Sequence, residues 1–262
     1  MTATRSRWLI RRPGQAEAAL RLYFFPHSGG SAGEYMRWSS QLPSAEVWGV
    51  QLPGRGGRIS ETAPTTMNGL VTALTAEADF GEVPYAFFGH SLGALAAYET
   101  ALALRAQGRQ GPHALFLSAY GAPHLHRPGP DVHMLDGPEL IAAVEREYGP
   151  VPAEMHTDPE FAALVLGGLR ADMSIVSSYR PRATRPEPLD CAITVYGGSE
   201  DRETAVRLAA WDDYTTGPFT LRVFAGDHFY FRGNSDDLLG QLDRALAAFT
   251  APAAFTAPAQ PA

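Results

Sequence analysis

Ser91 sits in Gly89-His90-Ser91-Leu92-Gly93, which reads G-x-S-x-G. An apolar run (Val83, Tyr85, Ala86, Phe87, Phe88) precedes it, and an Ala/Leu-rich run from Leu92 to Arg105 follows. Strand, sharp turn, helix is the context that makes this pentapeptide a nucleophile elbow. The two glycines fit a turn too tight for a Cβ on either side. A serine held there ends a strand and adjoins a helix N-terminus, where free N–H groups and the helix dipole favour negative charge.

A serine hydroxyl is a weak nucleophile and needs a base to take its proton. Of the eight histidines, His228 is best placed. It lies in Ala225-Gly226-Asp227-His228-Phe229-Tyr230-Phe231, after a strand-like run and ahead of a final helical pattern. Along the chain the order is nucleophile, acid, histidine. His124, His126, His133 and His156 are expected at solvated surface, and His90 is expected to pack beside the serine. The third member should be a carboxylate that fixes the imidazole tautomer. Gly197-Gly198-Ser199-Glu200-Asp201 follows a strand-like run, and Asp201 is the expected acid. Glu200 is its rival. Asp227 is a weaker one, because its neighbour in sequence is His228 itself.

An oxyanion needs two backbone donors. Leu92, directly after the serine, should supply one N–H. Ser28, in Pro26-His27-Ser28-Gly29-Gly30-Ser31, should supply the other, with Ser31 free to cap the helix that follows. No histidine pair has zinc-ligand spacing on one helix face, so neither metal nor cofactor is expected.

The elements that must position these groups alternate. Strand-like runs are Leu20–Phe25, Val47–Leu52, Tyr85–Phe88, Ala114–Ser118, Ala192–Tyr196 and Phe219–Phe224, with an edge strand near Trp8–Ile10. Helical patterns cover Ser31–Leu42, Met67–Phe80, Leu92–Gln107, Glu203–Trp211 and Asp236–Phe249. Alternation of this kind argues for an α/β fold: a mostly parallel sheet with helices on both faces and ligands at the carboxyl ends of its strands. Between Pro123 and Pro188 the alternation breaks into proline-rich joints and two helical patterns, Pro138–Tyr148 and Pro159–Tyr179. We read residues 123–188 as a helical lid over that carboxyl edge, hinged at its prolines. Residues 1–122 and 189–250 form the core, and 251–262 an Ala/Pro-rich disordered tail.

Composition narrows the function. The chain has 262 residues and a net charge of -7, with no basic run, so nucleic acid is an unpromising partner. No lysine occurs; the positive charge is all arginine. No segment reads as a signal peptide or as a membrane span, and a single cysteine, Cys191, excludes an intrachain disulfide. The cytoplasm is the expected location.

Three further motifs flank the elbow: Phe25-Pro26-His27-Ser28-Gly29-Gly30-Ser31-Ala32, Gln51-Leu52-Pro53-Gly54-Arg55-Gly56-Gly57-Arg58 with Glu61, and Gly226-Asp227-His228-Phe229-Tyr230-Phe231. In this order, over roughly Leu20 to Phe249, they resemble the stand-alone type II thioesterases that accompany polyketide synthases and non-ribosomal peptide synthetases. The resemblance implies an α/β-hydrolase fold with a helical lid. It also implies hydrolysis of acyl-thioesters on the phosphopantetheine arm of acyl or peptidyl carrier proteins, usually to clear aberrant or stalled acyl groups. Ser91, Asp201 and His228 fall on that family's triad positions, and Ser28 and Leu92 on its oxyanion positions. Position 28 is often alanine there; here it is serine. A monomer of one domain starting at Met1 is expected. Arg55 and Arg58 have no catalytic role implied and are expected to pin the loop after Leu52.

Two other functions fit the elbow. One is a small-molecule carboxylesterase or lipase on the same triad. The other is a catalytically silent binding protein on a hydrolase fold, against which a complete triad argues. Carrier proteins tend to be acidic, as is this chain, so a local basic patch would be needed for docking. Arg180, Arg182 and Arg185 are the candidates.

Overall fold

The computed structural model describes residues 6–12, 18–81, 83–128, 131–233 and 235–250. Seven strands form one sheet in the order β1-β3-β2-β4-β5-β6-β7. They are β1 (Leu9–Arg11), β2 (Arg21–Phe25), β3 (Glu46–Val50), β4 (Tyr85–His90), β5 (Ala114–Ser118), β6 (Ala192–Gly198) and β7 (Phe219–Phe224). Only β1 runs antiparallel, paired with β3; every other pairing is parallel. β4 lies at the centre, and all six of its residues are buried.

Near-continuous apolar runs are what a sheet covered on both faces demands. Alternate residues divide between two cores. Tyr23, Phe25, Phe87, Leu115, Leu117, Ile193 and Val195 pack towards α2 (Met67–Glu77) and α3 (Leu92–Ala106). Leu22, Phe24, Ala86, Phe88, Phe116 and Tyr196 pack on the other face, against Tyr35 of α1 (Ala32–Met36) and Leu238, Leu239, Leu242 and Leu246 from the C-terminal helix.

Between β5 and β6 come α4 (Gly137–Tyr148), α5 (Glu154–Thr157) and α6 (Pro159–Ser178), with their own small core of Leu140, Leu169 and Met173. Asp136 caps α4 and Asp158 caps α6, each followed by a proline in the first turn. The last elements are α7 (Ala205–Ala209) and α8 (Asp236–Thr250).

Several expectations need correction. The helix expected over Ser31–Leu42 divides into α1 and a 3-10 segment, Arg37–Gln41. That over Glu203–Trp211 divides into α7 and a 3-10 segment, Ala210–Tyr214, in which the Trp211 indole N–H donates to the Tyr120 carbonyl at 2.7 Å. α2 stops at Glu77, because Phe80 turns back against Tyr23 at 5.0 Å between ring centroids. Ser31 occupies the N-cap of α1, but its side chain makes no capping bond. The helix α5 had no counterpart in the sequence reading. The expectation that no segment could span a membrane also fails. α6 has 20 residues, and an 18-residue window of it reaches a mean hydropathy of 1.3, enough by length and composition. Its apolarity has a local cause: Leu169, Met173 and Ile175 are buried, and Asp172 is buried in an ion pair. The expected tail, 251–262, lies outside the described residues.

Candidate active site

β4 delivers Ser91 at its carboxyl end, where the residue is also the N-cap of α3. Its backbone has φ 54° and ψ -123°, a region that non-glycine residues avoid. A Cβ on Gly89 would lie 2.1 Å from the Gly93 carbonyl oxygen, and one on Gly93 2.2 Å from that of Phe25. Both positions are therefore closed to any side chain. The Ser91 N–H donates to the Ser118 carbonyl at 2.8 Å, tying the turn to β5. Leu92 opens α3, so its N–H has no partner within the helix.

His228 and Asp201 meet although they are far apart in sequence. The His228 Nδ1–H donates to Asp201 Oδ2 at 2.9 Å, with side chains only 6% and 1% exposed. Asp201 Oδ1 accepts the Glu203 N–H at 3.2 Å, which helps orient the carboxylate. Nε2 of His228 is buried without a hydrogen-bond partner. Ser91 and His228 line the same cavities. Glu200 is exposed, and it is its backbone N–H that reaches the Gly226 carbonyl. Asp227 turns away to accept the Phe229 N–H at 2.8 Å.

Ser28 lies beside these groups, in a tight turn after β2. The Gly30 N–H closes the turn on the His27 carbonyl at 2.9 Å, and Gly29 takes φ +75°. The His27 ring is buried, with Nδ1 3.0 Å from the Tyr35 hydroxyl, and burial pushes its imidazole down to about 3. His90 is fully buried, with Nδ1 2.9 Å from the Ser118 hydroxyl, and burial holds it well below the ordinary range. Both rings are neutral packing partners near His228.

Two lobes open from Ser91 and His228. One, of about 350 Å³, carries charge: Arg127, Arg146, Arg202, Glu203 and Arg207. The other, of about 220 Å³, is lined by Pro150, Val151, Met155, Phe161, Val165 and Leu169, together with Glu34 and Arg232. Val144, Tyr148 and Met173 from α4 and α6 line both.

Three contributors were missed from sequence. Tyr148 ends α4 with its ring 5.0 Å from that of His228. Arg202, next to Asp201, donates to the Tyr148 hydroxyl at 2.6 Å and pairs with Glu147. Asp172, on α6, accepts the Gly29 N–H at 2.8 Å and binds Arg55 through both oxygens. A carboxylate within the mostly apolar run from Phe161 to Val176 was the available signal for Asp172.

Arg58 holds its own loop, binding Glu61 and the Gln51 carbonyl and stacking over Trp8 at 4.2 Å. His126 and His133 are half-buried rather than solvated: His126 bonds the Tyr120 hydroxyl and His133 that of Ser177. Cys191 is a buried thiol, pushed up to about 12 by burial. Two of the three arginines of the expected docking patch are in ion pairs, while each stays about half exposed. Arg182 pairs with buried Glu99 and Arg185 with Asp213, Arg180 donates to the Ser177 and Tyr179 carbonyls, and the three arginines line cavities that do not reach Ser91. No cluster of metal-ligating side chains occurs among the described residues.

The thioesterase domain model matches residues 20–246. The chain belongs to the thioesterase family. It is 38% identical over 247 residues to a probable cadicidin biosynthesis thioesterase of Streptomyces griseus, covering 93% of this chain and 67% of that protein. It is 36% identical over 251 residues to the linear gramicidin dehydrogenase LgrE of Brevibacillus parabrevis, covering 93% and 94%. That name denotes redox chemistry, whereas the family match over residues 20–246 is to a thioesterase. Among solved structures, the type II thioesterase BorB from the borrelidin biosynthetic cluster superposes with a TM-score of 0.79 at 35% identity, over 91% of this chain and 97% of that one. The chain is thus a hydrolase of thioesters, with the sheet and flanking helices of that family's fold.

Proposed function

We propose that this thioesterase releases acyl groups from the phosphopantetheine arm of acyl or peptidyl carrier proteins, clearing stalled or aberrant intermediates of a polyketide or peptide assembly line. Ser91 is the nucleophile, His228 the base and Asp201 the group that fixes the imidazole. The observation that carries this reading is the buried 2.9 Å bond from His228 Nδ1 to Asp201 Oδ2. It leaves Nε2 unpaired beside the cavity that Ser91 lines.

In the first step Ser91 Oγ attacks the thioester carbonyl while His228 Nε2 takes its proton. Asp201 holds the tautomer and stabilises the imidazolium. The N–H groups of Leu92 and Ser28 receive the oxyanion; one such donor contributes roughly 3–4 kcal/mol in a comparable site. The C–S bond then breaks. A thiol with a pKa of about 8.5 leaves readily; its sulfur takes the proton from the His228 imidazolium as it departs, which returns His228 to its neutral, basic form. Water activated by His228 attacks the acyl-serine and regenerates the enzyme. No metal or cofactor enters these steps. Residues 123–188 act as the lid, the enzyme works as a monomer, and the reaction takes place in the cytoplasm.

The test is a panel of acyl-carrier thioesters set against matched oxygen esters. Carrier-bound thioesters should be hydrolysed with the higher kcat/KM, and a serine-reactive phosphonate should label Ser91. Preference for oxygen esters would favour a carboxylesterase. An unlabelled Ser91 would favour a binding protein.

A further inference from the structure

We infer that Arg55 and Asp172 are positioning residues for the oxyanion turn, so that the seating of α6 governs transition-state stabilisation. The inference rests on the reading of Ser28 N–H as an oxyanion donor.

Arg55 is 8% exposed and Asp172 2%. Their bonds are bidentate, Nη1 to Oδ2 at 2.8 Å and Nη2 to Oδ1 at 2.7 Å. A buried pair of this kind is poor value as a stabiliser. Two apolar side chains of similar volume are often as good or better, because both ions lose their hydration. What the pair does supply is geometry. Asp172 Oδ2 also accepts the Gly29 N–H at 2.8 Å, and Arg55 Nη1 also donates to the Gly30 carbonyl at 2.9 Å. Two successive residues after Ser28 are thereby gripped by one salt bridge.

The grip reaches the Ser28 N–H through the peptide plane. The Gly30 N–H closes the turn on the His27 carbonyl at 2.9 Å. His27 C=O and Ser28 N–H belong to the same planar trans peptide and point in opposite directions. Fixing the carbonyl therefore aims the N–H. Gly30 in turn is held from behind by Arg55.

The far end of this chain of bonds stands on α6. Asp172 belongs to that helix, Arg55 Nη2 reaches the Gly168 carbonyl at 3.4 Å, and a Cβ on Gly29 would lie 3.2 Å from Leu169 Cδ1. α6 also supplies Val165, Leu169 and Met173 to the smaller lobe. A helix that lines both lobes of the cavity thus also braces the oxyanion turn. A displacement of α6 would remove both supports together.

The test compares wild type with Arg55→Met/Asp172→Leu, which removes both charges without leaving one unpaired, and with Asp172→Asn, which keeps an acceptor for the Gly29 N–H. Each is assayed for kcat and KM on one acyl-carrier thioester, for inactivation by a serine-reactive phosphonate, and for thermal unfolding. In the double variant kcat should fall by roughly 10- to 100-fold, as small misplacements of reacting groups do. KM should stay within about threefold, the melting temperature should be nearly unchanged, and phosphonate inactivation should slow in parallel with kcat. Asp172→Asn should lose less than the double variant. A folded double variant with kcat within threefold of wild type would overturn the inference and leave the pair structural. If the double variant does not fold, Asp172→Asn decides: unchanged kcat and unchanged phosphonate reactivity overturn the inference, while a loss of both with KM retained supports it. Ser91→Ala is run alongside. If it retains activity, the triad reading fails, which is a different outcome from failure of the brace.

Discussion

The Tyr148 ring stands 5.0 Å from the His228 ring, at an angle of 52°. Tyr148 is the last residue of α4, so the end of an inserted helix reaches the proposed base. Its hydroxyl accepts a bond from Arg202, the residue directly after Asp201. The turn that carries the proposed acid therefore also tethers α4. Cavity shape and the geometry of the proposed triad meet at one aromatic side chain.

Ser91→Ala should remove turnover almost completely, since loss of the nucleophile in a comparable triad costs about 10⁶ in kcat. Ser91→Gly should be equally inactive yet melt higher than Ser91→Ala. The backbone at φ 54° stores strain on the order of 1–3 kcal/mol that glycine relieves and alanine does not. Thermal unfolding of the two variants checks this; the reverse order would show that the turn is unstrained.

Asp201→Asn should lower kcat by roughly 10⁴, because an amide favours the wrong imidazole tautomer. Glu200→Gln should be nearly silent, since that side chain is exposed. Steady-state kinetics on an acyl-carrier thioester decide between them. A more severe Glu200 variant would move the acid by one residue.

The strand core and the elbow were legible because each has a local signature. Apolar runs bounded by turn residues placed β5 and β7 at their observed bounds, and Gly89 and Gly93 flagged a close approach that their neighbours' carbonyls explain. Contacts between distant segments carried no such mark. Tyr148 reads as a helix-end aromatic until α4 is folded over His228, and Asp172 finds Arg55 only in three dimensions. Arg182 and Arg185 looked like a free patch because sequence does not show that Glu99 and Asp213 neutralise them. The division of two helices into shorter pieces follows side chains such as Trp211 anchoring to neighbouring loops, which outweighs helical propensity.

Acid should destabilise the fold before its carboxylates titrate. Burial pushes His27 down to about 3 and holds His90 well below its usual range, so both stay neutral in the folded state. Unfolded histidines protonate near pH 6.5. Below that pH the unfolded chain takes up protons that the folded chain does not. Stability present above about pH 6.5 is therefore lost as pH falls, by roughly 1.4 kcal/mol per pH unit for each such histidine. Urea unfolding at pH 7, 6 and 5 measures this, and His27→Gln should reduce the slope by about one proton. Constant stability from pH 7 to 5 would show that these rings are protonated in the fold.

Cutting the tether on α4 should loosen the helix while leaving the core alone. Arg202 and Glu147 are 47% and 41% exposed, and pairs so open to solvent contribute only about 0–1 kcal/mol. Arg202→Met should therefore change the melting temperature little. It should, however, release the Tyr148 hydroxyl and remove the guanidinium that lies 4.7 Å from its ring. Hydrogen exchange across 137–148 should speed up relative to β4 and β5, since segments held by few buried contacts open at low free energy. A more mobile α4 would disturb substrate placement more than the chemistry, so KM should rise by more than kcat falls. Exchange in 137–148 that matches wild type, with both kinetic constants unchanged, would mean that α4 is held by its own core of Leu140, Leu169 and Met173 and that the tether is incidental.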